Sequence, residues 1–188
     1  STKMGFIFVL NRETGEPLIE VESREVPRFG PLKDQLSPTQ PFPPDAFQVS
    51  RRYERGQSPM GICRRMEEES QVGEIYTPIT EQWTIGLPSN MGATNWGGVA
   101  VDAERGLIAL HSNNVAFRTK LLDKSKAPPE LLETMGDVDR PMQERQAAYQ
   151  AYRAYFEIGD DVELGVQAGA NYAMARHISF DPYLGIVP

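Results

Sequence analysis

The sequence holds one cysteine, Cys63, and two histidines, His111 and His177, in 188 residues. A single thiol excludes an intramolecular disulfide, and so few Cys and His fall short of the usual tetrahedral set of a structural zinc site. Basic charge is also in short supply: 19 Lys and Arg against 26 Asp and Glu leave a formal net charge of −7. A chain that grips phosphates needs the opposite balance, which argues against nucleic acid as a partner. No apolar run approaches the roughly 20 residues that cross a bilayer as a helix. The first residues, Ser1-Thr2-Lys3-Met4-Gly5, carry no signal-peptide pattern. Walker A, G-x-G-x-x-G, H-E-x-x-H and G-x-S-x-G motifs are all missing, so the common phosphate, dinucleotide, zinc-protease and esterase signatures are excluded.

What is present is punctuation and short apolar runs. Sixteen Gly and 15 Pro break the chain repeatedly. Gly5-Phe6-Ile7-Phe8-Val9-Leu10 reads as a strand, Asn11 to Gly15 as a turn, and Pro17-Leu18-Ile19-Glu20-Val21-Glu22 as its partner strand. Residues 27–44 carry six prolines and read as a long loop, pinned to a surface by Phe29, Leu32 and Phe42. The charged stretch that follows reads as solvated surface, with a weak helical face of Met60, Ile62, Cys63 and Met66. Trp83 to Pro88 is strand-like. Gly97-Gly98-Val99-Ala100-Val101-Asp102 and Leu107-Ile108-Ala109-Leu110-His111, joined by a turn ending in Gly106, make a hairpin. Pro128 to Met135 reads as a short helix. A longer one is expected from an Asp139 cap to a Gly159 stop, with Met142, Tyr149, Tyr152 and Phe156 on its packing face. The tail returns to strand-like residues. The pattern is mainly β with an α-helical insertion: strands with a long Pro-rich and charged loop (27–75) over residues 1–122, the insertion over 123–160, and strands again over 161–188.

Several segments bear a specific likeness. Thr2-Lys3-Met4-Gly5-Phe6-Ile7-Phe8-Val9-Leu10-Asn11-Arg12-Glu13-Thr14-Gly15 resembles a blade strand and turn of the pyrroloquinoline quinone (PQQ) dehydrogenases. Tyr76-Thr77-Pro78 and Gly92-Ala93-Thr94-Asn95-Trp96-Gly97-Gly98-Val99-Ala100-Val101-Asp102 resemble a second signature of these enzymes. Ser37-Pro38-Thr39-Gln40-Pro41-Phe42 and the Cys63-Arg64 pair resemble the membrane-bound glucose and quinate/shikimate branch. His177 to Gly185 resembles the family again, more weakly.

The resemblance implies an eight-bladed β-propeller. At roughly 40 to 50 residues per blade, the chain would be an internal piece of two to three blades. It also implies a role for particular residues. Lys3 would contact the quinone oxygens, its ammonium stabilising negative charge on a carbonyl oxygen as hydride leaves the alcohol. Asn95 would point its amide at PQQ and Trp96 would support it, although Trp96 taken alone reads equally as core packing. Thr39 and Gln40 would lie on a loop roofing the substrate. His111 stands where the glucose branch carries Asn, which leaves the sugar or polyol open. The catalytic base and the ligands of a divalent cation, Ca or Mg, would lie upstream of Lys3, so the 188-residue chain alone is expected to bind no cofactor and to be inactive. The implied partners are the remaining blades, ubiquinone as electron acceptor and, through open blade edges, a second copy; the implied location is the periplasm, with the parent anchored to the inner membrane. The competing expectation is a non-catalytic propeller scaffold without cofactor.

Overall fold

A computed structural model describes residues 1–56, 64–95, 97–178, 180–181 and 185–186. Strand β1 (Glu22–Glu25) pairs antiparallel with β2 (Thr39–Phe42), Glu22 opposite Phe42. Helix α1 (Arg64–Glu68) leads into β3 (Gln71–Val72), which runs parallel to β4 (Thr84–Gly86). Strands β5 (Val99–Asp102) and β6 (Leu107–Leu110) form a hairpin. Then come β7 (Phe117–Asp123), α2 (Pro129–Gly136), α3 (Met142–Tyr155), β8 (Glu163–Gly165) and β9 (Tyr172–Ile178), with β10 (Phe180–Asp181) and β11 (Gly185–Ile186) pairing last. The largest sheet has the order β3-β4-β7-β9-β8. Its centre is the seven-residue register of β7 and β9, from Phe117 opposite Ile178 to Asp123 opposite Tyr172.

Side chains alternate across that sheet and give its faces different work. On one face Leu122, with Ala173 and Ala175 of β9 and Leu164 of β8, packs against Tyr152 and Ile158. Ala173, Ala175 and Tyr152 are fully buried. The two methyl side chains leave room for the α3 ring, whose burial contributes about 2–3 kcal/mol. The helical segment therefore rests on strands drawn from both sides of it in sequence. On the opposite face, Phe117, Thr119 and Leu121 look toward the Pro-rich segment, with Phe29, Leu32 and Leu36 on the far side of an intervening cavity.

Four local expectations are corrected. The first hairpin is reduced to one bridge, Leu10 to Pro17, with Asn11 N–H donating to Glu16 O at 2.8 Å and Leu18 N–H to Val9 O at 2.8 Å. The strand does not continue because Phe6 bridges Gln48 instead and Pro17 has no N–H to give. The Pro-rich loop ends in a strand, β2, whose Pro41 is tolerated because the ribbon has only two strands and so leaves an open edge. Helix α3 is capped by Pro141 rather than Asp139, and its first turn forms without a side-chain cap. It stops at Tyr155, where Glu157 takes a left-handed φ of 54° and Ile158 N–H donates to Arg153 O; Gly159 lies beyond that stop. Met60, Ile62 and Cys63 lie outside the described residues.

Candidate cofactor site

Lys3 is carried on a closed turn. Gly5 N–H donates to Thr2 O at 2.9 Å, Thr2 N–H to Phe6 O at 2.9 Å, and Phe6 N–H to Thr2 Oγ1 at 3.2 Å. Gly5 permits the turn with φ +75°. Phe6 anchors it: the ring is fully buried among those of Phe8, Phe42 and Tyr76, with centroids 5.2–6.3 Å away.

The turn is laced to the segment after Pro88. Ala93 N–H donates to Lys3 O at 2.9 Å, and Thr94 Oγ1 donates to Thr2 O at 2.7 Å. Ala93 and Thr94 are each 1% exposed, so these bonds are shielded from water. Gly92, at φ +80°, lies so close that a Cβ there would stand 3.1–3.3 Å from Cγ, Cβ and Cα of Lys3. The end of the β5–β6 hairpin joins through Asn113 N–H, which donates to Ala93 O at 2.7 Å. Beyond it, Ser112 Oγ donates to Val49 O at 3.3 Å and Arg51 N–H to Asn114 Oδ1 at 3.2 Å.

This lacing brings three of the anticipated side chains to one place. Lys3, Asn95 and His111 line a hollow of about 440 Å³, together with Met91, Gly97 and Asn113. Lys3 Nζ donates to the Asn90 carbonyl at 3.2 Å, and Asn95 Nδ2 donates to the Met91 carbonyl. No carboxylate is among the lining residues, so the ammonium is not neutralised within the hollow. Thr39 and Gln40 do not join it: they pair with Glu25 and Arg24 on the β1–β2 ribbon. Trp96 lies outside the described residues. His177 lines a different hollow, where its Nε2 stands 3.1 Å from Asp161 Oδ2 near Arg118 and Trp83.

Sequence reasoning missed Asn113, Met91 and the Asn90 carbonyl. Asn113 has a signal of sorts, since an Asn just past a strand end calls for an explanation; turn formation is the usual one, and it hides a role in a site.

Residues 1–166 match the family described as PQQ: Glucose/ethanol/alcohol dehydrogenase, beta-propeller domain. The chain belongs to this family. Its strands and few helices are those of a part of the propeller domain, and among the described residues they do not close into a barrel. The quinoprotein glucose dehydrogenase of Escherichia coli (strain K12) is 31% identical over 134 residues, covering 68% of this chain. The glycerol dehydrogenase large subunit of Gluconobacter thailandicus is 33% identical over 135 residues, covering 67%. A probable quinate dehydrogenase (quinone) of Xanthomonas campestris pv. juglandis is 33% identical over 110 residues, covering 54%. The chain spans 17%, 18% and 14% of the lengths of these relatives. No solved structure matches the chain significantly.

The donor set suits the family's cofactor. PQQ is a planar ring system bearing carboxylates and adjacent carbonyls, so it calls for cations and N–H donors in a space free of carboxylates. The hollow at Lys3 offers an ammonium, two amides and an imidazole on those terms. For the divalent cation, no cluster of three or more His, Cys, Asp or Glu stands ready among the described residues.

Proposed function

We propose that this chain supplies one wall of the PQQ site in a dehydrogenase that oxidises a sugar or cyclic polyol, of the glucose or quinate/shikimate kind, and hands the electrons to ubiquinone at the periplasmic side of the membrane. The observation that supports the reading is the convergence of Lys3, Asn95 and His111 on one carboxylate-free hollow in a member of this family. PQQ, when bound, supplies the two-electron oxidation of the alcohol. The chain's own residues bind and polarise. Lys3, whose ammonium donates to the Asn90 carbonyl, would hold a cofactor oxygen and stabilise negative charge there. Asn95 and Asn113 orient the ring by their amides. His111, at the end of β6, faces the same space and sets part of the boundary against substrate. The base and the divalent cation, Ca or Mg, belong in this reading to parts of the relatives that the chain does not span.

The remaining propeller blades are the proposed partners. The surface offered to them includes the β5–β6 ribbon, where Val101 is 65% and Leu107 58% exposed. In the isolated chain the same ribbon is open to a second copy, which would appear as concentration-dependent self-association in sedimentation.

The test is a PQQ titration of the full-length protein, with turnover followed by dye reduction. Lys3→Ala should lower turnover by about 10²-fold or more, the usual loss for a transition-state donor. An unchanged rate would remove Lys3 from the mechanism. Failure of the full-length protein to bind PQQ would favour a non-catalytic scaffold. The 188-residue chain alone should show no PQQ-dependent dye reduction.

A further inference from the structure

A second cavity, of about 550 Å³, lies between the Pro-rich segment and the central sheet. Phe29, Leu32 and Leu36 form one wall, and Phe117, Thr119 and Leu121 of β7 form the opposite one. Its size is that of a small-molecule pocket. Glu74 is the one charged side chain among the lining residues. Phosphates, sugar acids and dinucleotides would meet no cation there. The chemistry on offer is apolar contact with a few hydrogen-bond donors.

Three hydroxyls are candidates to donate, those of Tyr76, Thr77 and Thr119. Tyr76 and Thr119 both line the cavity, and neither side chain has a hydrogen-bond partner among the described residues. Thr119 is 6% exposed. Tyr76 is held in an uncommon backbone conformation, φ +67°, with its ring at 6.1 Å and 5.6 Å from those of Phe6 and Phe42. Strain of this kind is kept only where the surroundings impose it, and it gathers at ligand clamps. Burial pushes the Tyr76 hydroxyl above its ordinary pKa. Apolar walls with unpartnered hydroxyls suit a ligand that is apolar and carries carbonyl acceptors.

Position adds the second argument. Met4 and Asn90 line this cavity, while Lys3, next to Met4, lines the cofactor hollow and donates to the Asn90 carbonyl. The two spaces thus share the turn from Ser89 to Gly92, closed by Gly92 N–H donating to Ser89 O at 2.8 Å. An electron acceptor lodged here would lie one turn of backbone away from the oxidising centre.

We propose that the cavity between Leu32 and Leu121 is the seat of the quinone electron acceptor, its ring against the apolar walls and its carbonyls toward Tyr76 and Thr119. This rests on the dehydrogenase reading given above. The test is equilibrium dialysis of the full-length protein, freed of PQQ, against a benzoquinone bearing one isoprenoid unit. Saturable binding at one site is expected. Leu121→Trp, which fills the cavity, should weaken it at least tenfold, and Tyr76→Phe several-fold. Leu32→Trp on the opposite wall should act as Leu121→Trp does and serves if that variant misfolds by near-UV circular dichroism. PQQ affinity, titrated in parallel, should stay within twofold in all three. Absence of saturable quinone binding, or unchanged binding in folded cavity-filled variants, would overturn the assignment while leaving PQQ binding to judge the dehydrogenase reading. Loss of PQQ binding in the unsubstituted protein would instead strike that reading alone, because the quinone is measured without PQQ.

Discussion

The close approach at Gly5 is what seats Lys3, and its contribution can be separated from backbone preference. Gly5 and Gly15 share φ +75°, so alanine at either position meets the same left-handed penalty of about 1–2 kcal/mol. Their surroundings differ. A Cβ at Gly5 would stand 2.7 Å from Ser50 Cβ, 2.9 Å from Ser50 N and 3.0 Å from Ala93 Cβ, whereas at Gly15 nothing lies within 4 Å. Ser50 cannot swing aside freely, since its Oγ donates to Met4 O at 2.9 Å and Val49 N–H donates to Gly5 O at 2.8 Å. Overpacking of this kind costs about 1–3 kcal/mol. The gain from a stiffer unfolded chain, about 0.4–1 kcal/mol, is common to both substitutions and cancels. Gly5→Ala should therefore be less stable than Gly15→Ala by about 1–3 kcal/mol in urea unfolding at constant m. It should also weaken PQQ binding by the full-length protein, which Gly15→Ala should not. Equal stability of the two variants would show that the contact between residue 5 and Ser50 does not hold the turn.

Other expectations follow from single side chains. The Tyr152 hydroxyl is buried without a hydrogen-bond partner among the described residues, so Tyr152→Phe should leave the urea midpoint unchanged or raise it; a loss above about 1 kcal/mol would reveal a partner. Glu67 accepts from Tyr53 Oη at 2.6 Å and from Gly56 N–H at 3.2 Å, and Glu67→Ala should cost about 1–3 kcal/mol by leaving those donors without it. Acid should destabilise the fold through three carboxylates held below their ordinary pKa: Glu69 by Arg65, Asp102 by Arg105 and Asp123 by Ser125. Their contribution is complete above the unfolded carboxylate range and is lost as pH falls through the lowered folded values, so unfolding free energy should decline below about pH 4. Glu69→Gln should flatten that decline, and an unchanged acid slope would discount the Arg65 and Arg118 contacts.

Local patterning made some elements legible and left others hidden. The β5–β6 hairpin was readable because its turn is local: Gly106 takes φ +63° and Arg105 N–H donates to Asp102 Oδ1 at 3.0 Å. Helices α2 and α3 were readable from their pattern, but the caps of α3 were not, because Asp137 rather than Asp139 accepts local N–H groups and Glu157 rather than a glycine reverses the chain. The order β3-β4-β7-β9-β8 was beyond reach. It depends on partners far apart in sequence, such as Arg118 opposite His177, and alternation says which face a residue takes without saying whom it meets. The same limit explains the first hairpin, where Phe6 finds Gln48 instead of its expected neighbour.

Of the residues singled out by likeness, some share one hollow and others lie apart from it. Lys3, Asn95 and His111 came from segment resemblance, yet what joins them is backbone chemistry at Ala93, whose N–H and carbonyl bind Lys3 and Asn113 in turn. Ala93, Gly92 and Thr94 carry no reactive group, so no search by residue type would have chosen them. Thr39 and Gln40 belong to an equally similar segment but pair into a ribbon whose connection to the hollow runs through Phe42 and Phe6, two side chains packed at 5.2 Å. Close packing at Gly5 and Gly92 therefore decides which side chains of the similar segments share a space. On that logic Asn113 is as much a part of the hollow as Asn95, since its N–H is bonded to Ala93 O, two residues before Asn95, and both side chains line the hollow. Asn113→Ala in the full-length protein should weaken PQQ binding to a degree comparable with Asn95→Ala; full affinity in Asn113→Ala alone would mean that sharing the hollow does not make a residue a contact.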